Sequence, residues 1–365
     1  MPDTPDSHTR TVHDHKRRLI DAGRRVLSVA IPFCVTAGLA GWLFHKVDLR
    51  QIKAILDDDC HFGFIVLMMF ITMMSHIVRG IRWGIQLRAV GIPRMSVIGY
   101  SVSIFGAYAL NLIVPYLGEA WRCIYISRRE NVKLATVVGT DIGDRGSDAV
   151  VVASLVLLAL IVAHPKLTEF ICHYQMGRDI ADIFSRWPIW VTVIALVAAM
   201  LWGYRRLNNI RFFAGVNRSL TRIWGGFKVL FTMKGRAAYL WLTLAIWVCY
   251  FSETYSCFWA FDFTRALIYE PGNACGLLPG LIVFVFGSMS MAVPSNGGLG
   301  PWNMAVMYAL MLYGLEQTDA AAYTVIVWSF QSSMLVALGI FSAIYIYVTG
   351  RRHRPRSSQL CNSRV

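Results

Sequence analysis

Apolar residues are concentrated in nine long runs that are separated by short polar segments. A hydrocarbon core about 30 Å thick is crossed by roughly 20 helical residues, and apolar runs approaching this length are typical of transmembrane helices. The pattern therefore predicts an all-α polytopic membrane protein. The nine runs are residues 26–44, 64–76, 97–114, 134–163, 189–202, 237–261, 277–293, 304–315 and 320–348.

Basic residues at both ends of the chain indicate how many of these runs cross fully. Arginine and lysine are clustered in segments 10–25 and 351–364, and the positive-inside rule places both segments in the cytoplasm. Nine crossings would put the two ends on opposite sides of the membrane. The number of full crossings must therefore be even.

Two pairs of loops indicate which runs do not cross the membrane fully. Arg79 and Arg82 follow the second run and Arg128 follows the third, so both segments are predicted to be cytoplasmic loops and the third run to enter the membrane and return. The loop 262–276 and the acidic turn 316–319 are both predicted outside. The seventh and eighth runs then form a second hairpin from the opposite face. The result is about six full transmembrane helices plus two re-entrant helical hairpins.

The order of these elements predicts an inverted repeat. Two spans, a hairpin and a span occur in residues 26–163 and again, beginning from the other side, in residues 189–348, an arrangement typical of transporters. The segment 203–236 is basic and carries apolar residues between its charges, which indicates either an amphipathic helix on the cytoplasmic leaflet or an ordinary positive-inside linker. The remaining parts are a cytoplasmic basic N-terminus (1–25), an external loop (164–188) and a cytoplasmic basic tail (349–365).

Composition removes several other classes of function. Apolar residues make up 56% of the chain and charged residues 15%, against about 25% charged in soluble domains. The net charge of +14 lies mainly in predicted cytoplasmic segments, so nucleic-acid binding is not predicted. With no C-x-x-C pair and no Walker sequence in the chain, we predict no cofactor and no metal site. A disulfide between two of Cys60, Cys172 and Cys275 is left open.

Five charged residues fall inside predicted helices: Asp141, Asp144, Arg145, Asp148 and Glu253. The first four share one helix face, and a charge at the membrane centre costs roughly 2.5–3.5 kcal/mol on insertion scales. We expect Arg145 to bridge Asp141 and Asp148, which leaves Asp144 in need of another partner. The face is either a polar wall of a substrate or proton path or an internal salt-bridge cluster. Glu253 is expected to pair with an arginine of the first hairpin or to bind a proton.

Each predicted hairpin is interrupted by helix breakers. Pro115 and Gly118 separate the first pair of helices, so free amide groups are expected near Arg122. A glycine-rich turn precedes Pro301 in the second pair and is typical of an anion-binding nest, although tight turns that merely fit a hairpin into the bilayer would look the same. The predicted substrate-binding residues are Asn111, Glu119, Arg122, Asp144, Arg145, Asp148, Glu253, Asn296, Gly297, Gly298 and Gly300.

These elements occur in the order found in a known family. They are Asn111 and Pro115 ahead of Gly118-Glu119 and Arg122, then Asp144-Arg145 and Asp148, then Gly297-Gly298 and Gly300. Over most of residues 97–348 the chain resembles the flippase-like transmembrane domain shared with lysylphosphatidylglycerol synthases. It departs from that pattern at Tyr116, where many members carry arginine, and at Asp144, where many carry glutamate.

The resemblance implies movement of lipids between leaflets, in bacterial members often an aminoacylated or otherwise modified phospholipid. We therefore expect a lipid flippase of the bacterial inner membrane that holds a head-group phosphate with Arg122 and the amides of residues 297–300. Because the soluble aminoacyl-transferring domain of the synthases is absent from this sequence, the expected partners are membrane lipids and a separate lipid-modifying enzyme. The alternative is a membrane-embedded transferase or hydrolase acting on a lipid-linked substrate. The oligomeric state is left open.

Overall fold

Ten helices account for nearly all of the described residues, which in this computed structural model are 49–93, 95–163 and 232–352. Within these ranges the only β-pairing is an isolated antiparallel bridge between Cys60 and Phe261, so the all-α prediction is confirmed there. The predicted runs 26–44 and 189–202, most of the segment 203–236, and both termini lie outside the described residues.

The helices are numbered in chain order. They are α1 (Leu49–Ala54, continued by a π-helical turn Ile55–Asp59), α2 (Phe62–Ala89), α3 (Val97–Ile113), α4 (Leu117–Arg129), α5 (Leu134–Val162), α6 (Arg236–Phe258), α7 (Asp262–Tyr269), α8 (Leu277–Ser290), α9 (Pro301–Met311) and α10 (Gln317–Arg352).

Helix lengths divide this set into two groups. Helices α2, α5 and α10 are long and apolar enough to cross a membrane, and the 23 residues of α6 extend about 34 Å. Helices α3, α4, α8 and α9 have 17, 13, 14 and 11 residues, fewer than the roughly 20 that a crossing needs. Within each short pair, α3 packs on α4 and α8 packs on α9.

The prediction for the end of the second run is wrong. It placed Arg79 and Arg82 in a cytoplasmic loop, whereas α2 continues to Ala89 and buries both arginines. The physical reason is that both side chains contact aspartates of α5, which removes the cost of keeping a helical arginine away from water.

Helix α2 has an inverted distribution of polarity for a water-soluble fold. Its exposed face carries large apolar residues such as Val66 and Phe70. Beside apolar residues such as Met68 and Trp83, its buried side carries six polar ones, namely Thr72, Ser75, His76, Arg79, Arg82 and Gln86. A helix that turns apolar groups outward and polar groups inward is suited to a hydrocarbon surrounding.

Two regions of packing hold the helices together. Helix α2 runs antiparallel to α6. The His61 N–H, just before α2 begins, donates to the Ala260 carbonyl, just after α6 ends, at 2.8 Å. A hydrophobic core then connects α6 to the later helices, with Phe258, Phe261 and Tyr323 in edge-to-face contact.

The prediction left a disulfide open, but Cys60 and Cys275 are free thiols, and Cys172 lies outside the described residues.

The turn between α3 and α4 depends on one glycine. A Cβ at Gly118 would lie 1.9 Å from the Ala107 carbonyl oxygen on α3. The Gly118 N–H donates to Asn111 Oδ1 at 2.8 Å, so the side chain of Asn111 caps the start of α4. The absence of a side chain at Gly118 thus sets how closely the two helices approach.

Gly118→Ala is expected to destabilise the protein by about 1–3 kcal/mol or more, because the methyl group must displace backbone rather than a flexible side chain. Thermal unfolding of the purified protein in detergent measures this loss. Gly63→Ala is the matched control, since nothing lies within 4 Å of a Cβ there. Equal unfolding temperatures for the two variants would contradict the close contact at Gly118.

Candidate substrate site

Two ion pairs connect α4 to α5. Arg122 contacts Asp141, and Arg145 contacts Glu119. Because α4 and α5 are antiparallel, the residue three positions further along α4 meets the residue four positions earlier on α5. The charges are also exchanged between the two levels, with the arginine on α4 in one pair and on α5 in the other.

A second set of ion pairs connects α5 to α2. Arg82 contacts Asp144 and Asp148 at 2.8 Å each, and Arg79 contacts Asp148 and, at 3.6 Å, Asp144. These two aspartates are one helical turn apart on α5, as are the two arginines on α2. The buried side chains of Asp144 and Arg82 are both 0% exposed.

We call these eight residues the charge ladder. Four arginines face four acids, so the formal charge of the ladder is zero. Its acids and arginines on α5 span roughly 10 Å along the helix axis, and they begin about 10 Å from the start of α5. The members are Arg79, Arg82, Glu119, Arg122, Asp141, Asp144, Arg145 and Asp148.

Neutral groups complete the surroundings of the ladder. Arg79 donates to the Tyr250 hydroxyl at 2.9 Å, and Arg82 donates to Thr243 Oγ1 at 3.2 Å. The guanidinium of Arg122 lies 4.6 Å from the ring centre of Trp83, a cation–π geometry. These contacts fix the arginine side chains in place.

Arg122 and Arg145 were both predicted to bind substrate, but their side chains differ in exposure. The Arg122 side chain is 1% exposed and the Arg145 side chain is 43% exposed. Arg145 is paired with Glu119, which also accepts from Asn111 Nδ2 at 3.1 Å. The accessible cation of the ladder is therefore Arg145, which lies on α5 beside Glu119 at the start of α4.

The two helix breaks are in contact with each other. The Gly297 N–H donates to the Asn111 carbonyl at 3.0 Å, and Asn296 Nδ2 donates to the Ile113 carbonyl at 3.0 Å. Both acceptors lie in the last turn of α3, where carbonyl groups have no partner within the helix. Residues of the second break thus provide hydrogen-bond donors for the carbonyl groups at the end of α3.

The backbone amides of the glycine-rich turn already have hydrogen-bond acceptors in the protein. Gly300, at φ +90°, donates its N–H to Asn303 Oδ1 at 3.0 Å, and Asn303 Nδ2 donates to the Thr324 carbonyl on α10. Gly298 accepts from the Trp302 N–H at 2.9 Å. In the described state, the amides of Gly297 and Gly300 are thus donated to protein atoms, and a phosphate would have to replace those acceptors.

Glu253 lies apart from the ladder. Its Oε1 accepts from Gln331 Nε2 on α10 at 2.7 Å, and it also contacts the Thr72 hydroxyl on α2. The expected pairing with Arg122 is not the one that the structure has, since Arg122 contacts Asp141.

The residues predicted to bind substrate thus fall into three groups. The structure joins six of them through the ladder and its hydrogen bonds. It places Asn296 and Gly297 against the end of α3, with Gly298 and Gly300 in the same turn, and separates Glu253. Arg145 pairs with Glu119 rather than bridging Asp141 and Asp148, and the missing partners of Asp144 are Arg79 and Arg82. Sequence reasoning missed those two arginines, although their spacing of three residues matches one helix face and signals a continued helix.

The fold and the site define the class of protein: a polytopic helical membrane protein with a neutral cluster of buried charges beside two helix breaks. The family model for the lysylphosphatidylglycerol synthase TM region matches residues 26–339, and the chain belongs to that family. No curated protein and no solved structure matches the chain.

Asp144→Asn is expected to cost roughly 3 kcal/mol or more of unfolding free energy, because Arg82 and Arg79 lose a buried counter-charge. Chemical unfolding in detergent micelles measures the loss. Asp58→Asn removes an exposed carboxylate near the start of α2 and serves as the control with little expected effect. Wild-type stability of Asp144→Asn would show that the ladder does not hold the helices.

Proposed function

We propose that the protein is a lipid translocase that moves an anionic or modified phospholipid head group between the two leaflets. The observation that carries the proposal is the half-exposed Arg145, held in a buried, charge-balanced cluster next to two helix breaks that contact each other. Membership of the family supports a lipid-related function in the membrane.

In this proposal the pairs α3–α4 and α8–α9 are re-entrant hairpins that enter from opposite faces. Three features support it: each helix is too short to cross, the helices pack within each pair, and the two breaks meet. In hydrocarbon a helix end needs partners for its last carbonyl groups, and the second hairpin provides them for the end of α3. An inverted repeat with six full crossings, both termini in the cytoplasm, would place the breaks there.

Arg145 is the residue that we expect to hold the head-group phosphate. Its planar guanidinium can form two parallel hydrogen bonds with phosphate oxygens, and its contact with Glu119 is the ladder pair that a ligand can reach. On phosphate binding, Glu119 keeps the Asn111 amide as a donor. Arg122, which is buried between Asp141 and Trp83, then positions the site rather than touching the lipid.

The breaks provide the route for the head group. Asn111 connects the two breaks, because its carbonyl accepts from Gly297 while its side chain bonds Gly118 and Glu119. Separation of the hairpins would free the Gly297 amide beside the ladder, where it could add a hydrogen bond to the phosphate. The acyl chains would stay in lipid throughout. A separate lipid-modifying enzyme would supply the substrate if the lipid is aminoacylated, in a bacterial inner membrane.

Arg145→Gln is expected to reduce lipid movement in reconstituted vesicles at least tenfold, the effect of losing about 1.4 kcal/mol of binding to a charged group. Arg145→Lys should retain part of the activity, since it keeps the charge but loses the two-pronged geometry. A head-group-resolved leaflet assay with a fluorescent anionic phospholipid measures the rate. Arg88→Gln removes an exposed arginine at the end of α2 and should leave the rate unchanged.

Unchanged transport by Arg145→Gln, with the fold intact, would remove Arg145 from the site. A separate result would favour a transferase or hydrolase instead: formation of a chemically altered lipid by the purified protein in detergent micelles. A micelle has no second leaflet, so a translocase makes no product there.

A further inference from the structure

Glu253 is a carboxylic acid held by neutral groups inside the helix bundle. Its hydrogen-bond contacts are the Gln331 amide and the Thr72 hydroxyl, and no arginine, lysine or histidine forms an ion pair with it among the described residues. A proton can therefore bind to Glu253 and leave it without breaking a salt bridge. This property distinguishes Glu253 from the four acids of the charge ladder.

One hydrogen bond beside Glu253 depends on whether the acid is protonated. The hydrogen of the Thr72 hydroxyl is donated to the Met68 carbonyl at 2.9 Å. The same hydroxyl contacts Glu253, and because it has one hydrogen it can donate either to the Met68 carbonyl or to an ionised Glu253 carboxylate. When the proton leaves, the Thr72 hydroxyl must turn from Met68 to the carboxylate. Loss of the proton thus changes a contact between α2 and α6.

His76 lies one helical turn from Thr72 on the same face of α2. It is 4% exposed, its ring stacks on Tyr108 with centres 4.3 Å apart, and both ring nitrogens lack a hydrogen-bond partner in the described part of the chain. Buried polar atoms are normally bonded, so the His76 ring retains hydrogen-bonding capacity that no group of the described residues uses. The register of α2 against α6 places His76 between the levels of Glu253 and Tyr250.

The other titratable and charged groups around this pair are known from the packing. On α6, Cys249 and Cys257 lie near Glu253, and Tyr323 faces it from α10. Around His76 are Arg79 on its own helix and Tyr108 on α3, with Tyr250 bonded to Arg79. Arg79 is neutralised by Asp148 and Asp144. Glu253 is therefore the acid in this region that can bind and release a proton without breaking an ion pair of the ladder.

Both ends of this site reach the proposed transport machinery. Gln331, which binds Glu253, is one turn beyond Trp328 on α10, and the Trp328 indole donates to the Gly297 carbonyl at 2.9 Å. Tyr250, one turn before Glu253 on α6, accepts from Arg79 of the ladder. A change in the contacts of Glu253 therefore acts directly on residues that hold the second break and the ladder.

We propose that Glu253 is a proton-binding site, so that lipid movement is coupled to proton movement across the membrane. This inference rests on the proposed translocase function. A proton from one aqueous phase bonds to the Glu253 carboxylate and later leaves to the other phase, and nothing is oxidised or reduced. The chemical class of the coupled ion is thus the proton.

The test compares lipid movement in vesicles with and without an imposed pH gradient, in both directions, for the unaltered protein, Glu253→Gln and Glu316→Gln. A gradient of one pH unit changes the proton ratio about tenfold, and we expect one direction to accelerate the unaltered protein several-fold. Glu253→Gln should move lipid at one rate under all conditions, because its amide has the shape of the protonated acid but does not titrate. Glu316→Gln changes an exposed carboxylate and should keep the full response.

Lipid movement that ignores the gradient in the unaltered protein, or a full response in Glu253→Gln, would overturn the inference and leave the translocase function standing. Absence of lipid movement in every condition would overturn the translocase function itself. Infrared difference spectra between acid and alkaline buffer decide the proton site independently: a carboxylic acid carbonyl band should disappear on titration of the unaltered protein and be absent from Glu253→Gln. An identical band in both proteins would contradict proton binding at Glu253.

Discussion

The exclusion of unpaired charge from hydrocarbon is the constraint on which the rest of this structure depends. Four arginines and four acids lie between α2, α4 and α5, and each has a partner of opposite sign. Removing one member leaves a charge that the surroundings do not solvate. The register of the three helices follows, because only one antiparallel alignment brings all of these residues to matching levels. Arg145 is held at the accessible edge of this arrangement, where the proposed head-group phosphate would compete with Glu119 for it.

The same constraint acts on the backbone at the two helix breaks. The end of α3 has carbonyl groups that no residue of its own helix can satisfy, and the second break supplies the Gly297 amide and the Asn296 side chain. Contact between the breaks is therefore required by chemistry and does not depend on apolar packing alone. Asn111 takes part in both arrangements, since its carbonyl meets the second break and its side chain bonds Gly118 and Glu119. A movement that separates the breaks must change the contacts of the ladder.

Much of this was predictable because periodicity and helix breakers are local signals. The bounds of α3, α5 and α8 and the positions of both breaks follow from the pattern of apolar residues with Pro115, Gly118 and the glycine turn. The partners of the acidic stripe could not be found in the same way. Arg79 and Arg82 follow an apolar run, as the basic residues of a cytoplasmic loop do. Only the contact between α5 and α2, which are far apart in the sequence, shows that the two arginines lie in the interior. The exposure of Arg145 likewise depends on which helices cover it.

The most direct test of the account is an exchange of charges between Glu119 and Arg145. Glu119→Arg and Arg145→Glu are each expected to lower stability, because each places like charges together in the ladder. The account predicts that the double variant recovers most of the lost unfolding free energy, since the ion pair is restored in reverse, and still fails to move lipid, since glutamate at position 145 repels phosphate. A double variant no more stable than either single variant would contradict the ladder, and lipid movement at the unaltered rate would contradict the role of Arg145.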